Sequence, residues 1–206
     1  MRVLALTRRM SSLWKQHTFE TSGTPFEPDA RHEVVVIGAG LTGLATAYEL
    51  ARSGVDVALL ERGGIGELAS GSNTGKVSLL QGTTLSSLRS GHPASLVRAY
   101  VDANRDGLAW MTDTARRLGV PLTSRTAYTY AQGDEGKRSV VKEYDAAREA
   151  GLAVRLAEED ELRAAAVPMA AAVALDDQRA VDPMRMLAAL ADAFVAAGGT
   201  LHLGVD

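Results

Sequence analysis

The chain has 206 residues, of which 46% are hydrophobic, and it carries a formal net charge of −3 with no cysteine. A chain of this size and composition can bury a globular core, whereas its acidic balance offers no basic stripe for a nucleic-acid backbone, so we expect no nucleic-acid partner. Without cysteine it forms neither disulfides nor thiolate metal sites, and it has no thiol nucleophile.

The first 32 residues mix serine, threonine, proline and charges without periodicity, which predicts a poorly ordered arm. Their apolar run, residues 3–6, is shorter than the h-region of about 7 to 15 residues in a secretory signal. No window of the chain approaches the roughly 18 apolar residues of a membrane span. We therefore expect a cytoplasmic protein without a membrane span.

A strand, a helix and a second strand are predicted between residues 33 and 61. Residues 33–37 contain three valines and an isoleucine, which predicts a parallel strand buried on both faces. Apolar residues then recur at helical spacing from Leu41 to Leu50. Gly54 ends that helix, and residues 55–60 predict the second strand.

The next segments alternate between irregular and periodic patterns. Residues 62–91 are rich in glycine, serine and threonine and far exceed the usual loop of about 4 to 6 residues, so we expect a functional or disordered loop. Residues 93–118 have the pattern of one long helix, with Pro93 in its first turn.

After Pro121 the pattern of apolar residues becomes typical of strands separated by helices. Strands are predicted within residues 127–131, 153–156 and 172–175, with helices near 135–150 and 158–165. Asp182 suits a helix N-cap and Pro183 the first helical position, and this helix ends at Gly198-Gly199. Residues 200–205 alternate as a strand. The chain then stops without a closing helix or a further strand, which we interpret as a truncated unit.

A glycine fingerprint lies between the first strand and the first helix, in the context that a dinucleotide-binding turn requires. It consists of Gly38, Ala39, Gly40, Leu41, Thr42 and Gly43. Gly38 permits the tight turn, Gly40 lets a diphosphate approach the backbone, and Gly43 lets the helix lie close to the strand. The free N–H groups of the helix would face the diphosphate.

Glu61 follows at the end of the second strand, 18 positions after Gly43. A carboxylate there accepts hydrogen bonds from ribose hydroxyls and repels a 2′-phosphate, so NADP is disfavoured. The alternative is a glycine-rich turn with no ligand, but strand, helix, second strand and acidic end are all in register. We therefore predict a dinucleotide site.

The other polar residues give weaker signals. His17, His32, His92 and His202 show no metal-ligand spacing, so we expect surface or loop positions and no metal site. Residues 158–161 are four acidic residues at a predicted helix start, which the helix dipole and solvation explain. Trp14 and Trp110 are expected to be packing anchors.

Several segments of the chain, beyond the glycine fingerprint and Glu61, match the pattern of a known family. The chain resembles FAD-dependent oxidoreductases of the D-amino-acid oxidase, glycine oxidase and sarcosine oxidase superfamily, and within it the branch of γ-glutamylputrescine oxidoreductase and of FAD oxidoreductases fused to a Rieske domain. The resemblance is carried by residues 34–61, Arg62, Ile65-Gly66, Gly71, Asn73-Thr74, Lys76-Val77-Ser78 and Gln81-Gly82. Ser12-Leu13-Trp14 and residues 181–187 also look like family features.

The resemblance implies FAD as cofactor and assigns site residues to it. The diphosphate loop falls on Gly38 to Gly43, and the ribose carboxylate falls on Glu61, followed by Arg62. The loop that approaches the isoalloxazine ring falls on about residues 70–77, from which we predict contacts by Asn73, Thr74, Gly75, Lys76 and Val77. Lys76 would place positive charge near the flavin oxygens, although a solvated loop lysine is an equal alternative.

This sequence also departs from the family pattern. Glu67, Leu68 and Ala69 stand where relatives usually have serine or glycine and threonine, and Ser72 stands where many have histidine. A Rieske cluster needs two cysteines, so this chain cannot hold one. The catalytic residues stay unassigned, because in such families the substrate sheet lies mostly in the second half of the chain.

These inferences combine into one prediction. The fold class is α/β, a Rossmann-like FAD-binding βαβ domain with part of a mixed α+β substrate domain, apparently truncated. After the arm of residues 1–32 we expect one partial oxidoreductase domain over 33–206. Within it, residues 33–90 form the nucleotide-binding unit and flavin-side loop, 91–180 helices and the start of the substrate domain, and 181–206 a return to the FAD domain.

The predicted function is oxidation of a small-molecule amine or amino acid. The resemblance implies hydride transfer from a C–N bond to flavin N5, followed by hydrolysis of the imine. Two alternatives stay open. The first is a truncated, non-catalytic FAD-binding fragment, for which a separately encoded C-terminal half would be the partner. The second is an NAD-dependent dehydrogenase, which shares the glycine fingerprint but lacks so long a loop after Glu61.

Overall fold

The fold is taken from a computed structural model, which describes residues 12–16 and 22–206. The helices are α1 (Leu41–Arg52), α2 (Thr84–Gly91), α3 (Ala94–Arg117), α4 (Asp134–Glu149), α5 (Glu159–Ala164) and α6 (Pro183–Ala196). The strands are β1 (Val34–Ile37), β2 (Val57–Glu61), β3 (Lys76–Val77), β4 (Leu122–Ala131), β5 (Arg155–Leu156), β6 (Ala171–Val181) and β7 (Thr200–Leu203). Short 3₁₀ turns form at Leu13–Gln16 and Ala69–Gly71.

The chain divides into two compact units. Unit 1 contains the described residues up to Gly75, together with Leu118–Val120 and Asp182–Asp206, and unit 2 contains Lys76–Arg117 and Pro121–Val181. The boundary expected at residue 90 does not coincide with this division, because Lys76 and Val77 pair with β6 in unit 2.

Unit 1 is a three-stranded parallel sheet in the order β1-β2-β7. Val34 aligns with Val57, and Ala58 aligns with Thr200, so all three strands run side by side. Helices α1 and α6 pack against each other next to the sheet. The fully buried side chains of this unit include Leu44, Leu59, Leu187, Leu190 and Phe194. Their burial holds the strand ends, and thus the turns that follow them, in place.

The expectation that the first strand is buried on both faces is wrong for this structure. Val35 is 51% exposed and Ile37 is 85% exposed, whereas Val34 and Val36 are half-buried. Among the residues that the structure describes, strand β1 pairs only with β2 and therefore lies at the edge of the sheet. An uninterrupted apolar run does not reveal how many faces of a strand are covered, because that depends on elements elsewhere in the chain.

Unit 2 contains an antiparallel sheet. Strand β6 pairs with β4 along one edge and with β3 and β5 along the other. A bulge interrupts the β4–β6 pairing between Arg125 and Ala127, and Asp177 near it has a φ of +58°, which is uncommon for a residue other than glycine. Apolar side chains cover one side of the sheet, among them Leu85, Val97, Val101, Val140 and Val173.

Helix α2 was missed within the long loop expected over residues 62–91. Its sequence is rich in serine and begins with threonine, both weak helix formers, so local propensity does not reveal it. Leu85 is 1% exposed in the core of unit 2, with Leu88 packed against that core, three positions apart. The helix therefore forms because unit 2 buries its apolar side.

Part of the predicted N-terminal arm has defined contacts in unit 1. The amide of Thr24 donates to the carbonyl of Leu201 at 2.7 Å, and the His202 ring nitrogen Nδ1 lies 2.9 Å from the carbonyl oxygen of Thr24. The Phe26 ring meets the His202 ring edge-on. Residues 1–11 and 17–21 of the arm lie outside the described residues. Within the described ranges, no helix combines the length and apolarity that crossing a membrane requires.

Candidate functional site

The glycine fingerprint forms the turn between β1 and α1. Gly38 has a φ of +98°, a left-handed conformation that favours glycine, while its amide donates to the carbonyl of Leu60 at 2.8 Å. A Cβ on Gly43 would lie 1.9 Å from the carbonyl oxygen of Gly38, closer than any real contact. A Cβ on Gly40 would lie 3.1 Å from the hydroxyl oxygen of Ser70. Only hydrogen at position 43 lets α1 begin so close to β1.

Glu61 lies beside this turn with a defined orientation. Its Oε2 accepts the amide of Ala39 at 2.7 Å, and its Oε1 accepts the amide of Gly63 at 2.8 Å. The carboxylate is half-buried, and each of its oxygens keeps a lone pair for a further donor. The two predicted halves of the dinucleotide site, the fingerprint and the acidic end of β2, are thus brought together by a direct hydrogen bond.

The first backbone amides of α1 differ in whether they donate a hydrogen bond within the chain. The amide of Leu41 donates to the Ser70 hydroxyl at 3.0 Å. Within the described part of the chain, the amides of Gly40, Thr42 and Gly43 find no acceptor. Such free N–H groups, at the positive end of a helix dipole, attract an anion.

Asn73 organises the loop that follows the Ala69–Gly71 turn. Its side-chain oxygen accepts the amide of Gly75 at 2.7 Å, and its side-chain nitrogen donates to the carbonyl of Ser70 at 2.7 Å. Gly75 is buried and has a φ of +66°, so the turn suits glycine. Thr74 is exposed beside it.

The remaining predicted site residues are placed differently. Arg62 is exposed next to Glu61. Lys76 and Val77 form β3 in unit 2, where they pair with Ala180 and Arg179, and the Lys76 side chain is exposed. The structure therefore brings Gly38 to Gly43 and Glu61 into one arrangement, and it does not by itself assign a partner to Arg62 or Lys76.

Two side chains reach this arrangement that sequence reasoning did not select. Ser70 was expected only as the start of the flavin-side loop, and Trp14 only as a packing anchor. Ser70 accepts from the fingerprint amide of Leu41, and the Trp14 indole Nε1–H donates to the carbonyl of Asn73 at 2.8 Å. No local signal reveals either bond, since the partners lie 29 and 59 positions apart.

His32, His92 and His202 lie within the described ranges. In the described ranges no group of three or more His, Cys, Asp or Glu side chains could hold a metal ion. His32 lies 2.9 Å from an Asp56 carboxylate oxygen. The expected surface position is wrong for His202, which is 4% exposed on β7 because the residues around Thr24 and Phe26 cover it. His17 lies outside the described residues.

The acidic run at residues 158–161 opens α5 as predicted, with Glu158 at the N-cap, and Glu161 also belongs to a charged cluster in unit 2. The Arg155 guanidinium donates to Glu161 at 2.6 and 2.8 Å and to Asp176 at 3.0 Å. The Tyr128 hydroxyl also donates to Glu161 at 3.0 Å. The bonds from Arg155 hold the pKa of Glu161 down at about 2 and also lower the pKa of Asp176. This ion pair fixes β5 and α5 against β6.

We predict that Glu161 makes the stability of the chain acid-sensitive. Because its pKa lies below the ordinary value of 4.5, the carboxylate contributes stability above pH 4.5, and that contribution is lost as the pH falls toward 2. The thermal unfolding midpoint of wild type should fall across this window, and the profile of Glu161→Gln should be flatter. Exposed Glu135→Gln serves as the control, and parallel profiles for wild type and Glu161→Gln would contradict the prediction.

Most of the chain matches one known protein family. A family model described as FAD dependent oxidoreductase matches residues 33–206. The chain belongs to this family. The predicted family resemblance, the α/β fold class and FAD as the cofactor are thereby confirmed.

One known bacterial protein is similar to most of this chain. A Bacillus subtilis (strain 168) protein, YhfW, whose name describes it as a Rieske 2Fe-2S iron–sulfur protein, is 24% identical over 193 residues, covering 92% of this chain and 37% of the relative. The Rieske-linked branch suggested by the sequence is therefore represented among its relatives.

Solved structures share the fold. Glycine oxidase from Geobacillus kaustophilus is 25% identical with a TM-score of 0.62, over 84% of this chain and 47% of its own. L-amino acid deaminase from Proteus myxofaciens is 19% identical with a TM-score of 0.68, over 89% and 40%. L-proline dehydrogenase from P. horikoshii is 18% identical with a TM-score of 0.67, over 84% and 44%. The chain thus spans less than half the length of these proteins.

Proposed function

We propose that this chain binds FAD through the turn between β1 and α1 and contributes to oxidation of an amine or amino acid. The observation that carries the proposal is the arrangement at residues 38–43, where three free amides and the oriented Glu61 carboxylate lie together. The free amides suit the diphosphate, and the carboxylate suits the ribose hydroxyls. Glycine at position 40 lets a ligand approach the backbone, and glycine at position 43 lets α1 begin close to β1.

The remaining assignments belong to the same proposal. We include Asn73, Thr74 and Gly75 because small residues in this loop suit the edge of a flat ring, and Arg62, Lys76 and Val77 because the family resemblance implies them. When bound, FAD supplies the redox chemistry, which is two-electron oxidation of the substrate. The residues of this chain hold and orient it. The cytoplasmic location predicted from the sequence is tested by fractionating cells that express the chain.

The choice of a C–N bond rests on the relatives. Glycine oxidase, L-amino acid deaminase and L-proline dehydrogenase are named for amino-acid chemistry. Another neighbour of the same fold, from Mycoplasma pneumoniae, is an L-alpha-glycerophosphate oxidase. The substrate screen should therefore contain glycine, proline and other D- and L-amino acids, simple amines, and glycerol 3-phosphate as the comparison without nitrogen.

The deciding experiment is the visible absorbance spectrum of the purified 206-residue chain, with and without added FAD. Protein-bound flavin bands support FAD binding. If an amino acid or an amine bleaches these bands under anaerobic conditions, the proposed oxidation is supported as well. A chain that is folded by circular dichroism but takes up no FAD contradicts the proposal. A parallel titration with NADH tests the NAD alternative, which the family match disfavours.

A second candidate is FAD binding without turnover. The observation that favours it is that the chain spans 37% to 47% of the length of the relatives described above. Bound flavin that no substrate bleaches would support this candidate. If a C-terminal half is the partner, adding that half from a relative, produced separately, should then allow a substrate to bleach the flavin.

We predict that Glu61→Gln weakens FAD binding by about 10- to 100-fold, the loss expected when charge-assisted hydrogen bonds worth about 1.5 to 3 kcal/mol are removed. The amide group of glutamine also turns an N–H toward one of the backbone donors at Ala39 and Gly63. The dissociation constant is measured by quenching of FAD fluorescence. Glu135→Gln in unit 2 is the control, and equal affinities for all three proteins would contradict the role of Glu61.

A further inference from the structure

In the described part of the N-terminal segment, the Trp14 side chain contacts the loop that follows the Ala69–Gly71 turn. Trp14 is half-buried in the 3₁₀ turn Leu13–Gln16, which packs near α6. Its indole Nε1–H donates to the backbone carbonyl of Asn73 at 2.8 Å. Tryptophan has a single donor and no acceptor, so this bond sets the direction of the ring as well as the position of the loop.

Asn73 passes this restraint on to the fingerprint. Its side chain holds the amide of Gly75 and the carbonyl of Ser70, both at 2.7 Å. Ser70 in turn accepts the amide of Leu41 at 3.0 Å through its hydroxyl. A continuous series of hydrogen bonds therefore runs from Trp14 through Asn73 and Ser70 to the first residue of α1.

The segment that carries Trp14 lies outside the family match, which begins at residue 33. The alignment with the Bacillus subtilis relative covers 92% of the chain, more than residues 33–206 can supply, so it extends into the N-terminal segment. The alignment therefore includes residues upstream of the family domain, and Trp14 of the same N-terminal segment contacts the loop after the Ala69–Gly71 turn.

We propose that Trp14 is a positioning residue for the cofactor site, holding residues 70–75 so that the Ser70 hydroxyl and the fingerprint amides face FAD. This inference rests on the proposed function for its effect on affinity, but its effect on the loop exists without ligand. It makes the N-terminal segment part of the cofactor-binding unit. Substrate chemistry is not assigned to Trp14.

The test separates the indole donor from the bulk of the ring. Trp14→Phe removes the donor and shortens the side chain. Replacing Trp14 with β-(3-benzothienyl)alanine removes only the N–H and keeps the ring size, so it serves if the phenylalanine variant does not fold. The same two replacements at Trp110 in unit 2 are the matched controls. Measured are the FAD dissociation constant, amide hydrogen exchange without ligand, and the thermal midpoint.

Both replacements at position 14 should weaken FAD binding by about threefold to tenfold, the range for loss of one hydrogen bond. Exchange should accelerate at Leu41 and Gly75 in the absence of FAD, while the amides of β1 and β2 and the thermal midpoint stay unchanged. The replacements at position 110 should leave FAD affinity within about twofold of wild type, less than the loss of one hydrogen bond.

Two results would overturn the inference. One is unchanged FAD affinity in both Trp14 variants of a chain that binds FAD. The other is faster exchange throughout unit 1 with a lower thermal midpoint, which means general structural support rather than positioning. If wild type takes up no FAD, the proposed function fails. The exchange rates at Leu41 and Gly75 then test Trp14 by themselves: faster exchange in the Trp14 variants means that Trp14 holds the loop, and unchanged exchange means that it does not.

Discussion

Gly43→Ala is expected to abolish measurable FAD binding and to lower the stability of unit 1. The new Cβ would lie 1.9 Å from the carbonyl oxygen of Gly38, and backbone atoms cannot move aside as a flexible side chain does. Helix α1 must shift away from β1, which costs about 1 to 3 kcal/mol for overpacking of this kind. The shift moves the free amides off the diphosphate position, and each lost charge-assisted bond, worth about 1.5 to 3 kcal/mol, weakens binding by about 10- to 100-fold.

The same substitution at Gly107 supplies the control with the opposite sign. Gly107 lies inside α3, is exposed, and has no atom within 4 Å of the position of an added Cβ. Gly107→Ala should therefore stabilise the chain by about 0.5 to 1 kcal/mol through helix propensity. Urea unfolding and FAD titration are measured for both variants. Wild-type FAD affinity in Gly43→Ala would show that the turn is not the diphosphate site.

Glu143→Ala is expected to destabilise the chain by about 2 to 4 kcal/mol, since it removes two charge-assisted hydrogen bonds in a buried setting. Glu143 is 0% exposed on α4 and accepts the amides of Leu85 and Ser86 at 3.1 and 2.8 Å. These amides open α2, whose own N-cap residue, Thr83, provides no side-chain bond. Loss of the carboxylate leaves the buried amide of Leu85 and the half-buried amide of Ser86 without this acceptor, and α2 should unfold first.

Asp145→Ala, on an exposed side of the same helix, is the matched control and should change stability by less than about 0.5 kcal/mol. Urea unfolding gives the free energy, and amide exchange at Leu85 and Ser86 reports on α2 directly. Glu143→Gln should lie between the two, because one amide oxygen still accepts a bond. Equal stability of Glu143→Ala and Asp145→Ala would contradict the role of Glu143 as the cap of α2.

Much of unit 1 could be predicted because its signals are local. Three valines and an isoleucine, a fingerprint of glycines at fixed spacing, and an acidic residue 18 positions later identify a strand, a helix and a second strand. The same holds for α6, where the Asp182 side chain caps the amides of Met184 and Arg185 and Pro183 follows in the first turn.

Unit 2 was predicted less well. The separate strands expected within residues 127–131 and 172–175 are longer in the structure, as β4 and β6, because pairing across the sheet extends them beyond their apolar runs. Helix α2 was missed because serine and threonine do not favour a helix locally. The acidic run at residues 158–161 opens α5, as the helix dipole predicts, but the bond between Arg155 and Glu161 was not predicted.

The sequence by itself determined the family, the cofactor class and the order of β1, α1, β2, α6 and β7, since glycine spacing, capping residues and apolar periodicity depend on neighbours along the chain. Only the tertiary structure decided which groups meet. The bonds from Ala39 to Glu61, Leu41 to Ser70, Leu85 to Glu143 and Trp14 to Asn73 join residues 22 to 59 positions apart. Each depends on how packed elements bring distant backbone amides and side chains together, and no local pattern encodes that geometry.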